Sequence, residues 1–188
     1  MQLLEETAQR HRWTVTSFHK LAEVGIFTED DRIELIDGEL IKMAPIGDEH
    51  AGQVNWLSND LAYRLHQQVI VATQNPIALG EHSNPQPDIT LLRWRDDYYR
   101  GKCPTPEDIL LIIEIADTLV RYDREVKVPL YAEHHIREVW LVDLQQRQVD
   151  VYRQPENSAY SEVSHHQTGQ VTSGALPEAT INLADLFA

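Results

Sequence analysis

Residues 109–116 read ILLIIEIA and are apolar at every position but one. Such a run predicts a central strand covered on both faces. The exception is Glu114, an acid where burial demands a partner, because an ionised carboxylate left alone in the interior costs several kcal/mol. Past the strand, Asp117 or Thr118 can cap a helix that carries Asp123, Lys127 and Tyr131. Spaced i, i+4 and i+8, these three share one helical face. Lys127 can therefore point back toward the strand end that holds Glu114. Pro129 falls inside this helix and removes a backbone donor, which predicts a kink.

The remaining pattern places elements on either side of that centre. A short helix over 17–24, capped by Thr14 or Thr16 and ended by Gly25, has Phe18, Leu21 and Val24 as its apolar positions. An acidic turn at 29–31 leads into strands 32–36 and 39–43. The Asp37-Gly38 pair joins them as a two-residue hairpin loop. Glu34 shares a strand face with Ile36. A helix over 49–67 buries Val54, Leu57, Leu61 and Leu65, with His50 one turn earlier on the same side. Strands follow at 69–73 and 77–80, and the loop 81–87 delivers Asp88 to the start of a strand over 88–92. Residues 138–144 and 148–153 form a hairpin, edge strands fall near 160–163 and 170–173, and the tail packs Ile181, Leu183, Leu186 and Phe187. The class is mixed α/β (α+β), a mixed central β-sheet flanked by helices.

Composition narrows the setting. A chain of 188 residues, 42% hydrophobic and 24% charged, is expected to form a single domain with one core. No apolar run approaches the roughly 20 residues that span a bilayer. The N-terminal MQLLEETAQRHRW has neither the basic start nor the apolar core of a signal peptide. A single Cys103 excludes an internal disulfide framework and a multi-cysteine zinc site. A cytoplasmic protein fits these features. The net charge of −14 speaks against a large nucleic-acid footprint. It does not exclude a nuclease, whose metal site itself needs carboxylates.

One segment runs against that charge. Over 93–102, Arg93, Arg95, Arg100 and Lys102 outnumber Asp96 and Asp97, and Trp94, Tyr98 and Tyr99 are interleaved. Aromatics that stack on bases beside cations that meet phosphates would suit nucleic acid. The commoner use of such a segment is a surface loop whose aromatics pack on the domain. The histidine pairs 134–135 and 165–166 read as surface residues.

Three acids stand where strands meet a site: Glu34, Asp88 and Glu114. Phosphodiester hydrolysis calls for a hard cation, which oxygen ligands hold, and a lysine nearby supplies positive charge. Each acid alone also has an ordinary structural use, as a turn former, a solvated strand residue or half of a buried ion pair.

The ordered pieces RIELIDGEL with a following GDEH, then PQPDITLL, IIEIADTLVRYDREVKVPLY and REVWLVDL, resemble the Uma-two restriction endonuclease family, a branch of the PD-(D/E)XK nuclease superfamily. The resemblance covers about residues 13–153 and implies a restriction-endonuclease-like core, with residues 154–188 as added strands and tail. It implies that Asp88, after Pro87, is the principal metal ligand, Glu114 the second acid and the main-chain carbonyl of Ile115 a further ligand. Glu34 matches the N-terminal acid that approaches the metal. The superfamily's usual lysine lies two residues after the second acid, but here that position is Ala116. Lys127 on the following helix fits as its replacement. His50 and Asp123 match positions commonly filled this way, either in support of the site or as structural residues.

The implied activity is a Mg²⁺- or Mn²⁺-dependent endonuclease that cuts DNA and leaves a 5′-phosphate and a 3′-hydroxyl. Two alternatives stand beside it: a nuclease fold kept as a binding or scaffold module, and a nuclease acting on RNA or branched nucleic acid. A homodimer would suit cleavage of both strands of a duplex.

Overall fold

The computed structural model describes residues 10–28 and 31–188. Of the expected acidic turn, Glu29 and Asp30 lie outside the described residues, as does most of the N-terminal stretch read against a signal peptide. The chain divides into two compact units, one built from residues up to Pro45 with Ala78–Pro85, the other from Ile46–Ile77 with Gln86–Ala188.

In the first unit, α1 (Val15–Glu23) starts at a capping box. The Thr14 hydroxyl accepts the Ser17 N–H, and the Ser17 hydroxyl accepts the Thr14 N–H. Phe18 is the buried residue of this helix and stacks on Phe27. Val24, expected on the apolar face, is instead 73% exposed. It is the C-cap residue, and Gly25 at φ +76° turns the chain away immediately after it. Strands β1 (Ile33–Ile36) and β2 (Glu39–Lys42) pair antiparallel. Asp37 and Gly38 both take positive φ, the signature of the tight hairpin expected from their sequence. The expected strand at 77–80 does not form. Leu79 makes one isolated bridge with Ser83, because Gly80 at φ +67° reverses the chain at once.

The second unit holds a six-stranded sheet. After α2 (Asp48–Arg64), the strands are β3 (Val69–Thr73), β4 (Ile89–Arg93), β5 (Ile109–Ala116), β6 (Glu138–Asp143), β7 (Gln148–Glu156) and β8 (Ala159–His166). Their spatial order follows the chain, and every pair is antiparallel except β5–β6. A parallel pair needs a crossover. Here it is helical: α3 (Val120–Tyr122), a π-helical turn (Asp123–Lys127) and α4 (Val128–Glu133). Pro129 has no N–H, and its ring excludes the carbonyl four residues earlier. The chain widens ahead of it, and the Val128 N–H reaches back five residues to the Asp123 carbonyl. The expected kink is thus a π turn. Neither Asp117 nor Thr118 caps the helix: the N-cap residue is Leu119, without a side-chain bond, and Asp117 accepts from the Gln145 amide. The expected strand at 170–173 is β9 (Gln170–Thr172), which pairs with β10 (Thr180–Asn182) in a separate two-stranded sheet; α5 (Leu183–Leu186) follows.

Register gives the sheet two unlike faces. Ile89, Ile113, Trp140 and Val151 lie directly across from one another along the strands. Their face packs against Val54, Leu57, Leu61 and Leu65 of α2, and against Ile181, Leu183, Leu186 and Phe187 of the tail. The opposite face carries a row in which Glu114 opposes Leu141, Leu141 opposes Asp150 and Asp150 opposes His165. The helical crossover covers that row: Arg124 bonds to Asp150 and Lys127 pairs with Glu114.

The Asp150 carboxylate is fully enclosed and accepts from Arg124 at 2.9 Å, Gln148 at 2.6 Å and the His165 ring at 2.6 Å. Burial pushes its pKa up, but the bonds from His165, Arg124 and Gln148 outweigh that and hold it below the usual carboxylate range. A depressed folded pKa contributes stability above the unfolded value, lost as pH falls through the folded value. Asp150→Asn is expected to lower stability by about 1–3 kcal/mol near neutral pH. That gap between wild type and variant should close as pH falls below about 4, read by equilibrium denaturation at both pH values.

Candidate active site

Asp88 sits just before β4 and Glu114 near the end of β5. Because Ile89 opposes Ile113 in an antiparallel pair, the two acids meet side by side. They are linked through the backbone. The Asp88 N–H donates to Glu114 Oε2 at 3.3 Å, and the Ile115 N–H donates to Asp88 Oδ2 at 2.9 Å. The His50 ring, in the first turn of α2, shares that Oδ2 through Nε2 at 3.0 Å. The Gln74 amide, just past β3, donates to Asp88 Oδ1 at 3.3 Å. On the other side, Lys127 Nζ lies 3.3 Å from Glu114 Oε1, and the Tyr131 hydroxyl donates to the same oxygen. The expected helical face thus reaches the strand, although it is built from a π turn followed by an α turn.

The fold therefore gathers Asp88, Glu114, Ile115, Lys127 and His50 into one cluster. Asp123 opens the π turn, is buried, and acts electrostatically on Glu114. Glu34 lies in the other unit, buried on β1 opposite Ile41. Sequence reasoning does not single out Gln74. A polar residue after a strand carries no signal of its own, and its role depends on a left-handed backbone at φ +52°. Tyr131 is visible as the third residue of the helical face, but its bond to Glu114 is not.

The basic segment is placed elsewhere. Arg93 ends the strand that Asp88 precedes, so about 17 Å of extended chain separates them. Arg93 donates to the Glu107 carbonyl, and Arg95 pairs with Asp97 and lies 4.7 Å above the Tyr99 ring. Tyr99 is buried, with its hydroxyl on the Arg93 carbonyl. Trp94 and Tyr98 meet edge to face and stay partly exposed, as do Arg100 and Lys102. These four cations are not brought to the carboxylates.

Electrostatics set the two acids apart. Burial pushes the Glu114 carboxyl up to about 8; Lys127 and the Tyr131 bond pull it down, while Asp88 and Asp123 push it further up. For Asp88 burial works upward too, but the bond and charge of His50, with the Ile115 N–H and Lys127, bring the carboxyl below its ordinary range. Three buried acids, Asp88, Glu114 and Asp123, thus share two cationic partners, the Lys127 ammonium and the His50 ring. That imbalance and the hard oxygen donors suit a divalent cation such as Mg²⁺ or Mn²⁺, which needs only one or two carboxylates with water. Among the described residues no three Asp, Glu, His or Cys side chains form a ready ligand set.

The fold has a counterpart among solved structures. A protein from Anabaena variabilis ATCC 29413, described as "a putative nuclease belonging to DUF820", matches with a TM-score of 0.70 at 18% identity, over 93% of this chain and 97% of that one. The likeness shows the fold. The Uma2 family, described as "Putative restriction endonuclease", matches residues 15–184, and the chain belongs to that family. Membership supports a nuclease as its class. No curated protein matches the chain. Among the described residues no helix is long and apolar enough to cross a membrane.

Between the ordinary value of 4.5 and about 8, the folded chain keeps a proton on Glu114 that the unfolded chain has released. Folding then takes up a proton, so stability falls as pH rises through that window. Metal-free protein is expected to lose on the order of 2–4 kcal/mol across it. Glu114→Gln should flatten the slope. Equilibrium denaturation with a chelator present checks this, and equal slopes for the two proteins would mean that Glu114 is ionised throughout.

Proposed function

We propose that the chain is a divalent-metal-dependent endonuclease that hydrolyses DNA phosphodiesters to a 5′-phosphate and a 3′-hydroxyl. The observation that supports this most is the cluster itself, a buried acidic pair on neighbouring strands with a buried lysine 3.3 Å from one member. Asp88 and Glu114 would hold Mg²⁺ or Mn²⁺, with the Ile115 carbonyl as a further ligand. When bound, the ion supplies Lewis acidity at the phosphate and a more acidic water.

The protein's own groups do the rest. His50 and Gln74 fix the Asp88 carboxylate through one oxygen each. Tyr131 fixes the Glu114 carboxylate. Lys127 is the compact cation of the site: it orients the attacking water and stabilises charge that develops on the phosphate oxygens. Its arrival from a helix answers the apolar Ala116, where the superfamily's usual lysine would stand. Asp123 tunes the charge around Lys127. Arg100 and Lys102 contact nucleic acid away from the scissile bond. Glu34 keeps its implied role as a further acid, which Glu34→Gln tests in the same assay.

One observation favours a second reading, an inert nuclease fold that serves as a binding module. Every oxygen of Asp88 and Glu114 already accepts from a protein donor or faces Lys127. A polar core satisfied in this way can be purely structural.

The test is cleavage of supercoiled plasmid with Mg²⁺ or Mn²⁺, beside single-stranded DNA and RNA. Wild type is expected to nick or linearise the plasmid. Asp88→Asn and Lys127→Met should each lose at least about 100-fold in rate while keeping the far-UV spectrum of the wild type. A fully active Lys127→Met would remove the lysine from the mechanism. Absence of cleavage, together with no calorimetric heat for Mn²⁺ at millimolar concentration that depends on Asp88, would favour the binding module.

A further inference from the structure

The six-stranded sheet has two edges, and they are unlike. The outer strand β8 carries Glu162, His165 and His166, the kind of charged and polar residues that keep an edge from pairing. The outer strand β3 reads VIVAT and has no charge, no proline and no glycine. It sits in a window, residues 65–80, that contains no Asp, Glu, Lys or Arg in a chain of which 24% is charged.

The backbone accounting of β3 identifies what its free side offers. The Gln74 N–H donates to the Asp88 carbonyl, so 74 and 88 form a hydrogen-bonded pair in the β3–β4 ladder. Hydrogen-bonded pairs alternate along an antiparallel ladder. With the register Val69–Arg93 to Thr73–Ile89, Ile70 and Ala72 turn their N–H and C=O toward β4. Val69, Val71 and Thr73 therefore turn theirs outward, and among the described residues nothing bonds to them. Three consecutive outward donor–acceptor sets on an apolar strand form a template for another strand.

We propose that this edge pairs with the β3 strand of a second copy of the chain in an antiparallel, two-fold symmetric dimer with a continuous twelve-stranded sheet. Self-pairing fits the geometry. A two-fold axis normal to the sheet at Val71 sets Val69 opposite Thr73 of the other copy and Val71 opposite itself, so that all three outward sets are used. It also fits the charge: two molecules that each carry −14 repel, and β3 itself brings no like charges to the seam. The dimer would set the two Asp88–Glu114 pairs on one face of the joined sheet, roughly 25 Å apart. The pairing itself depends on β3 alone and stands whether or not those pairs cleave DNA.

The experiment is sedimentation velocity of the full chain over a range of concentrations, with residue-resolved amide exchange on the same samples. The wild type is expected to be a dimer at micromolar concentration, with the Val69, Val71 and Thr73 amides protected in the dimer and unprotected on dilution. The Ile70 and Ala72 amides should stay protected throughout. Val71→Pro removes one outward N–H and leaves the bonds to β4 in place; it should weaken association by at least 100-fold. Should that variant fail to fold, the exchange pattern of the wild type decides. A monomeric wild type at tens of micromolar would overturn the proposal. So would a dimer in which the three outward amides exchange freely, or a monomer in which they are protected, since another segment of the same chain would then occupy the edge. None of these readouts involves cleavage, so the nuclease assignment can fail without touching this one.

Discussion

A carboxylate in the interior of a sheet is the demand to which this fold responds. Glu114 stands in a strand whose other seven residues are apolar, and almost none of its surface meets solvent. Left ionised and alone, it would cost several kcal/mol, a sizeable part of the net stability of a domain. Groups from three directions answer it: the backbone of the neighbouring strand through Asp88, and a lysine and a tyrosine from the crossover above. The answer is incomplete: burial, joined by the charges of Asp88 and Asp123, outweighs Lys127 and the Tyr131 bond and holds the carboxyl above its ordinary range. A centre left with a raised carboxyl in this way costs stability, which is the pattern of perturbed acids found at functional sites.

The same pairing geometry that aligns apolar side chains on one face aligns acids on the other. From β5 to β8, Glu114, Asp150 and His165 fall on one cross-strand row. The crossover serves both acids, with Arg124 on Asp150 and Lys127 on Glu114, three residues apart on one turn. The two pairs differ in consequence. Asp150 is held by three donors and stays acidic, a fixed tie between helix and sheet. Glu114 is equally enclosed, but burial with the charges of Asp88 and Asp123 outweighs Lys127 and Tyr131, so that its proton is held more tightly. The tie on Asp150 fixes the turn from which Lys127 reaches the site.

Much of this is legible in the residues, for identifiable reasons. The apolar run 109–116 and the stripe Val54, Leu57, Leu61 and Leu65 follow from burial, which periodicity reports directly. The hairpin at Asp37-Gly38 follows from backbone sterics. Asp88, Glu114 and Lys127 meet because strand register and helical spacing are regular enough to extrapolate over a few residues. The sequence is silent where a single backbone angle decides. Gly80 turns a promising apolar pair, Ile77 and Leu79, into a reversal, although both remain buried. Gln74 reaches Asp88 through a left-handed conformation that its residue type does not announce. Proline at 129 signals a disturbance, and only the structure shows that it takes the form of an i to i−5 bond.

That wide turn bears on what holds the charges of the site together. In a site whose lysine shared a strand with its acid, pairing of the strands alone would assemble the charges. Here Lys127 follows Glu114 by 13 positions and is delivered only when the crossover has folded back over the sheet. Strand pairing by itself sets the two acids next to each other and brings no ammonium to them. The full set of charges therefore exists only where sheet and crossover are packed together, and whatever loosens that packing parts the lysine from its acid.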